Sequence, residues 1–407
     1  MAPRASPGQG PTAARPALLL AALLLVGGVC YGLLGLGDLL LGRWLDRQAS
    51  QINAPARAIE ARRALEQDQA QGADARAQGD RTMLFPALFE TGVFRQMAQA
   101  QGGLPLGAQA DALLLYCNEG AGLVRYRSDR FGLRNDDAIW DEAVIDVALL
   151  GDSYVQGACV AAPDTLAGRL QATGRRVVSL GMAGNNAIHH AAVARAFLPA
   201  LQARFAVLVF YPNDNQDEHD SVFRALAFDP QPGYVRREGA RRLPAQAQAD
   251  ANRLLALAEA EADRQRLAEA ADKPRPAPWY QRVGRHLALP HLRRVLRQAV
   301  LQVTEAGLAW SSRLAIDTLV ELCRPPACQP VLAYIPNSEF WRPDARAPAY
   351  RAALQAHAAT HGAALRWVDA GPALAPLGLQ AYASHGPHLS PAGYQAVAAA
   401  IQGELLP

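Results

Sequence analysis

The stretch from Val147 to Gly157, V-A-L-L-G-D-S-Y-V-Q-G, constrains the fold more than any other. Val147 to Leu150 is a short unbroken apolar run, the pattern of a strand buried on both faces of a parallel sheet. Gly151 ends the run, and Asp152-Ser153 fall where a turn feeds a helix beginning near Tyr154. A serine on such a turn stands off the end of a sheet, beside backbone N–H groups and a helix N-terminus that favour negative charge. The same residues also suit an ordinary strand-to-helix turn, with glycine for the bend and Asp or Ser as the cap. The rest of the chain decides between the two.

Beyond this stretch, apolar runs alternate with helical stretches. Ile145–Leu150, Arg176–Leu180, Ala206–Tyr211, Pro330–Ile335 and Leu365–Val368 read as strands. Pro163–Thr173, Ala187–Ala203, Trp310–Cys323, Tyr350–His361 and Gln395–Leu405 read as helices. The alternation predicts an α/β fold: a flavodoxin-like, doubly wound parallel sheet of about five strands with helices on both faces. In such sheets ligands are taken at the carboxyl ends of the strands. From about 222 to 305 strands give way to Arg-, Ala- and Glu-rich sequence, helical at Leu243–Ala271 and around Leu287–Val303. This reads as a helical insertion over one rim of the sheet. Apolar heptads are not sustained, which disfavours a coiled-coil dimer segment. Leu84–Asp137, with Y-C-N-E-G and Y-R-S-D-R-F-G-L-R-N, reads as an ordered lead-in packed on the domain.

At the other end, Pro16–Gly37 is an uncharged run of about 22 residues, long enough to cross a bilayer. A cleaved signal peptide is the rival, but its apolar core is usually shorter and no small-x-small site precedes Asp38. Gly28-Val29-Cys30 matches a lipoprotein site poorly. Flanking charge is nearly balanced, so it sets orientation only weakly. The expected organisation is a cytoplasmic N-terminus at 1–15, a transmembrane anchor at 16–37, a helical or flexible spacer at 43–83 and the main domain at 84–407. A single-pass inner-membrane protein is expected, with its bulk in the periplasm or outside the cell. The formal charge of +3 over 407 residues, without a basic block, gives no reason to expect nucleic acid as a partner.

The cysteines fit an oxidising compartment. Cys323 and Cys328 bracket R-P-P-A, and Cys117 and Cys159 flank the G-D-S strand, so two disulfides are expected. A zinc site is the alternative, but paired C-x-x-C knuckles and a histidine cluster beside them are missing.

Four loop motifs fall at one edge of the expected sheet: Ser153 after the first strand, Gly184 after the second, Asn213 after the third, and His388 before the last helix. A serine hydroxyl needs a neighbouring base, usually histidine, to take its proton. The oxyanion that forms needs donors where charge develops, and Ser153 N–H, Gly184 N–H and the Asn213 amide are candidates. Glycine lets the backbone approach a substrate closely. These blocks, G-D-S-Y with Gly157, L-G-M-A-G-N-N, Y-P-N-D and H-L-S-P-A-G-Y, resemble those of the SGNH or GDSL-type hydrolase superfamily, in particular its membrane-anchored bacterial members. The resemblance covers roughly residues 120–220 and 328–407. It implies Ser153 as nucleophile, His388 as base, an oxyanion hole of Ser153, Gly184 and Asn213, a supporting turn at Gly151-Asp152, and no metal or cofactor.

One position departs from that pattern. The family usually has Asp three residues before the catalytic histidine, and here that position is His385. A histidine supplies no fixed negative charge, and if protonated it lowers the pKa of its neighbour. Either a Ser–His dyad operates, or Asp369, Asp214 or a backbone carbonyl orients His388. His189 and His190 suit surface or packing roles better than the cleft, because adjacent helical residues face different ways. Asp214, Asp217, Glu218, His219 and Asp220 read as a solvated loop rather than a metal site. Phe340 and Trp341 follow the fourth strand, with core packing as their default. The expected function is a serine esterase acting on small-molecule or glycan acyl esters, O-acetyl groups on envelope glycans among them. The alternatives are a catalytically degenerate glycan-binding protein, a partner of an acyltransferase, and a lipase. Oligomeric state is left open.

Overall fold

The computed structural model describes residues 14–52, 71–101, 104–216, 219–228, 245–271, 284, 287–293, 295–296, 307–337 and 346–405. Several expectations therefore lie outside the described residues: those for 1–13, 53–70, Asp217, Glu218, Phe340, Trp341 and, in the helix around Leu287–Val303, residues 294 and 297–303. The chain divides into two compact units, one of Met1–Ile52 and Pro274–Leu301, the other of Asn53–Lys273 and Gln302–Pro407.

In the first unit, α1 (Ala14–Ile52) is one unbroken helix. Its segment Ala22–Arg43, 22 residues of mean hydropathy 1.9, is long and apolar enough to cross a membrane. Leu23, Leu24, Leu25 and Leu33 lie on its surface, where lipid rather than protein would have to cover them. Asp38 is buried in this unit, and its Oδ1 accepts from Leu292 N at 2.6 Å.

The second unit begins earlier than Leu84. Ala75 and Asp80 are already buried, so the last part of the expected spacer belongs to the folded unit. A small sheet forms first from β1 (Arg81–Thr82), β2 (Leu113–Leu115) and β3 (Arg125–Arg127). Strand β2 runs parallel to β1 and antiparallel to β3, and α2 (Gly92–Gln101) lies between β1 and β2 in sequence. The loop from β2 to β3 is closed by Tyr116 N donating to Val124 O and Val124 N donating to Cys117 O, both at 2.9 Å.

The main sheet comprises β4 (Ile145–Leu150), β5 (Val177–Ser179), β6 (Ala203–Phe210), β7 (Gln329–Tyr334) and β8 (Arg366–Asp369). All neighbours pair in parallel, in the order β5-β4-β6-β7-β8. Helices α3 (Ser153–Gln156), α4 (Leu166–Gln171), α5 (Ala187–Leu201), α6 (Arg224–Phe228), α7 (Ala245–Ala271), α8 (Trp310–Leu322), α9 (Ala347–Thr360), α10 (Gly371–Leu374) and α11 (Pro391–Glu404) complete it.

Strand periodicity divides the core. Ala148, Leu150, Leu208 and Phe210 pack with Ile188 of α5, Ile316 of α8 and Leu354 of α9 on one face. Val147, Leu149, Val207 and Val209 pack with Leu166 and Leu170 of α4 and Val397 of α11 on the other. Both faces are covered by helices, which is why the strands read as unbroken apolar runs. Helix α7, within the expected insertion, buries Leu254, Leu255 and Ala258, and its Glu259 carboxylate accepts from Arg81 Nε at 2.9 Å.

Candidate active site

Because β4, β5 and β6 are parallel neighbours, the residues following them emerge at one edge of the sheet. Gly151 leaves β4 in a bend where any Cβ would lie 2.4 Å from a methyl of Val155. Asp152 then caps α3, its Oδ1 accepting from Tyr154 N at 2.9 Å, and Ser153 opens that single helical turn. Gly157 ends the turn at φ +81°, where its missing Cβ admits Thr165. Gly184 holds φ +75° in an exposed turn after β5, with Phe85 and Ala87 3.2 Å from where a Cβ would stand. Asn213 is exposed in the turn after β6. Ser153, on the central strand of the three, is thus flanked along the edge by the Gly184 and Asn213 loops.

His388, from the segment before α11, reaches the serine: its Nε2 lies 2.9 Å from Ser153 Oγ. On the other side of the ring, Nδ1 lies 2.7 Å from Glu119 Oε1, and the backbone N of His388 donates to Glu119 Oε2 at 3.1 Å. A carboxylate only accepts, so the proton sits on Nδ1, and Nε2 is left to accept from the serine hydroxyl. The serine and the histidine read from sequence are brought together. Neither expected carboxylate, Asp369 or Asp214, reaches the ring, and nor does the His385 side chain. Asp369 accepts from Gly371 N at 2.9 Å and pairs with Arg351. Asp214 accepts from Tyr211 N at 2.7 Å. His385 contributes only its backbone, N donating to Glu119 O at 3.1 Å.

Glu119 is the residue that sequence reasoning missed. It stands at the tip of the β2–β3 loop, where Asn118 Oδ1 accepts from Gly120 N and Gly122 N at 2.8 and 3.0 Å. Gly386 makes room for it: a Cβ there would lie 1.8 Å from the Glu119 carboxyl carbon. The disulfide Cys117–Cys159 fastens the same loop to the segment after α3, and Cys323–Cys328 closes the other expected pair. The pairing of Cys117 with Cys159 was itself the available signal, since it puts residue 119 beside the serine turn.

The lead-in holds that turn elsewhere too. Buried Arg134 donates to the carbonyls of Gly157 (2.6 Å) and Val160 (2.8 Å) and sits 5.0 Å from the Tyr126 ring centre. Gln156 ties the turn to the next loop, its Oε1 accepting from Ala183 N at 2.7 Å. Tyr154 stacks on Tyr211 with ring centres 4.3 Å apart and donates to Pro387 O at 2.9 Å, one residue before His388.

Below the edge lies a buried polar layer. Burial, then the nearby Asp214 charge, push Asp152 up to about 7 against the opposing Tyr154 N–H. Burial raises Asp214 well above the carboxylate range. Asp214 is fully buried, not part of a solvated loop. Burial pushes His190 down to about 4 against the opposing pull of Asp152, so the imidazole is neutral and its 3.4 Å approach to Asp214 is no ion pair. His189 is driven down to about 3 by burial and then by His190, and its Nδ1 lies 2.6 Å from Asn186 Oδ1. Both histidines are core residues.

No family model matches this chain, and no curated protein matches it.

Proposed function

We propose that this chain is a membrane-anchored serine esterase of the SGNH or GDSL type. The observation that supports this most is the hydrogen-bonded series Ser153–His388–Glu119, assembled from three separate segments. On this reading Ser153 Oγ attacks the ester carbonyl while His388 Nε2 takes its proton. Glu119 fixes the ring tautomer and stabilises the imidazolium. The oxyanion accepts from Ser153 N–H, Gly184 N–H and the Asn213 amide. His388 then protonates the departing alkoxide, and water, activated by the same histidine, releases the acid. The strand order, with the chain reversing direction at β4, supports a flavodoxin-like reading in which this edge is the ligand site.

The α1 segment and two disulfides support an inner-membrane protein with its folded domain outside the cytoplasm. Acyl esters of envelope glycans suit that location. An unbroken hydrogen-bonded series from serine through histidine to carboxylate favours an enzyme over a degenerate binding protein. The test is hydrolysis of a short-chain p-nitrophenyl ester by the purified full chain. Turnover that Ser153→Ala removes is expected; turnover equal to wild type in that variant would overturn the proposal.

A further inference from the structure

Three metal-ligating side chains converge between α8 and α9, none of them used by the proposed chemistry. Asp317 comes from α8, His357 lies in the last turn of α9, and His361 caps that helix four residues on, spaced to share its face. His357 Nε2 is 3.0 Å from Asp317 Oδ1, and His361 Nε2 is 3.2 Å from the same oxygen. All three donor atoms fall within 4.8 Å of one another, and the imidazole rings stand nearly perpendicular, at 84°.

Hydrogen bonding accounts for half of this arrangement. His357 has a hydrogen bond to Asp317, whereas the buried His361 Nε2 has no hydrogen-bond partner although it faces the same oxygen. A tetrahedral ion with ligand bonds of about 2.0–2.1 Å spaces its donors about 3.3 Å apart. The two nitrogen–oxygen separations are close to that spacing. We propose that Asp317, His357 and His361 bind a divalent transition-metal ion. Two imidazoles with one carboxylate suit zinc, nickel or copper rather than magnesium or calcium. Asp317 is 54% exposed, so water completes the coordination from the open side. The ion joins α8 to α9 across the intervening β7 and is structural, since the trio shares no residue with the Ser153–His388–Glu119 series.

The test is a zinc titration of the full chain in detergent, free of any histidine tag and stripped with chelator, against a chromophoric competitor. Wild type is expected to take up one equivalent. Asp317→Asn, which changes an exposed side chain, and His361→Gln are each expected to weaken binding at least about tenfold, since even outer-shell changes cost that much. Zinc is expected to raise the melting temperature of wild type and not of these variants. His388→Ala is expected to bind as wild type does. Absence of stoichiometric uptake by wild type, undiminished uptake in both site variants, or loss confined to His388→Ala would each overturn the site.

Discussion

At the scale of single residues, Glu119 meets His388 with both carboxylate oxygens, one on the ring and one on the backbone N–H. Neutralising it leaves the shape and removes the charge that holds the imidazolium. Glu119→Gln should lower kcat on the order of 10³- to 10⁴-fold, the cost of amidating a triad carboxylate. Asp369→Asn should leave kcat near wild type, because Asp369 is committed to Arg351 and Gly371. Comparable losses in both variants would contradict this assignment. His189 gives a prediction of another kind. Its folded pKa of about 3 lies below the unfolded value of about 6.5, so its stabilising effect is whole above pH 6.5 and is lost as pH falls towards 3. Over pH 6 to 4.5, wild type should lose about 1.4 kcal/mol per pH unit relative to His189→Gln. Urea unfolding at several pH values measures this, and parallel pH profiles would contradict it.

At the scale of elements, the site is a sheet edge completed by a loop that does not belong to the sheet. Ser153, His388 and the capping Asp152, all named from sequence, sit in short motifs of a few residues at or just before the starts of α3 and α11. Strand β4 was legible to the residue, Ile145–Leu150, because burial on both faces leaves a continuous apolar run. Strands β1, β2 and β3 span two or three residues each, too few to show a period, so the small sheet was not foreseen. Glu119 lies 269 residues from His388 in a loop without regular structure, and only the Cys117–Cys159 pair hinted at its place. Gly386 allows the two loops to meet. Gly386→Ala should push the flexible Glu119 side chain aside, cutting kcat nearly as far as Glu119→Gln while leaving the melting temperature close to wild type. Full activity in Gly386→Ala would contradict that close approach.

At the scale of the whole molecule, α1 is the one helix among the described residues long and apolar enough to cross a membrane. Removing residues 1–52 should release the protein from membranes in alkaline carbonate, whereas the full chain should stay with the pellet. Retention of the truncated chain would mean that another segment anchors it. The central claim is that Ser153 is an activated nucleophile, its proton taken by a histidine that Glu119 orients. The most direct measurement is labelling of the full chain in membranes with a fluorophosphonate, followed by peptide mapping of the adduct. The predicted result is one adduct on Ser153, absent in Ser153→Ala and formed far more slowly in Glu119→Gln. Failure of wild type to label, or an adduct that persists in Ser153→Ala, would contradict it.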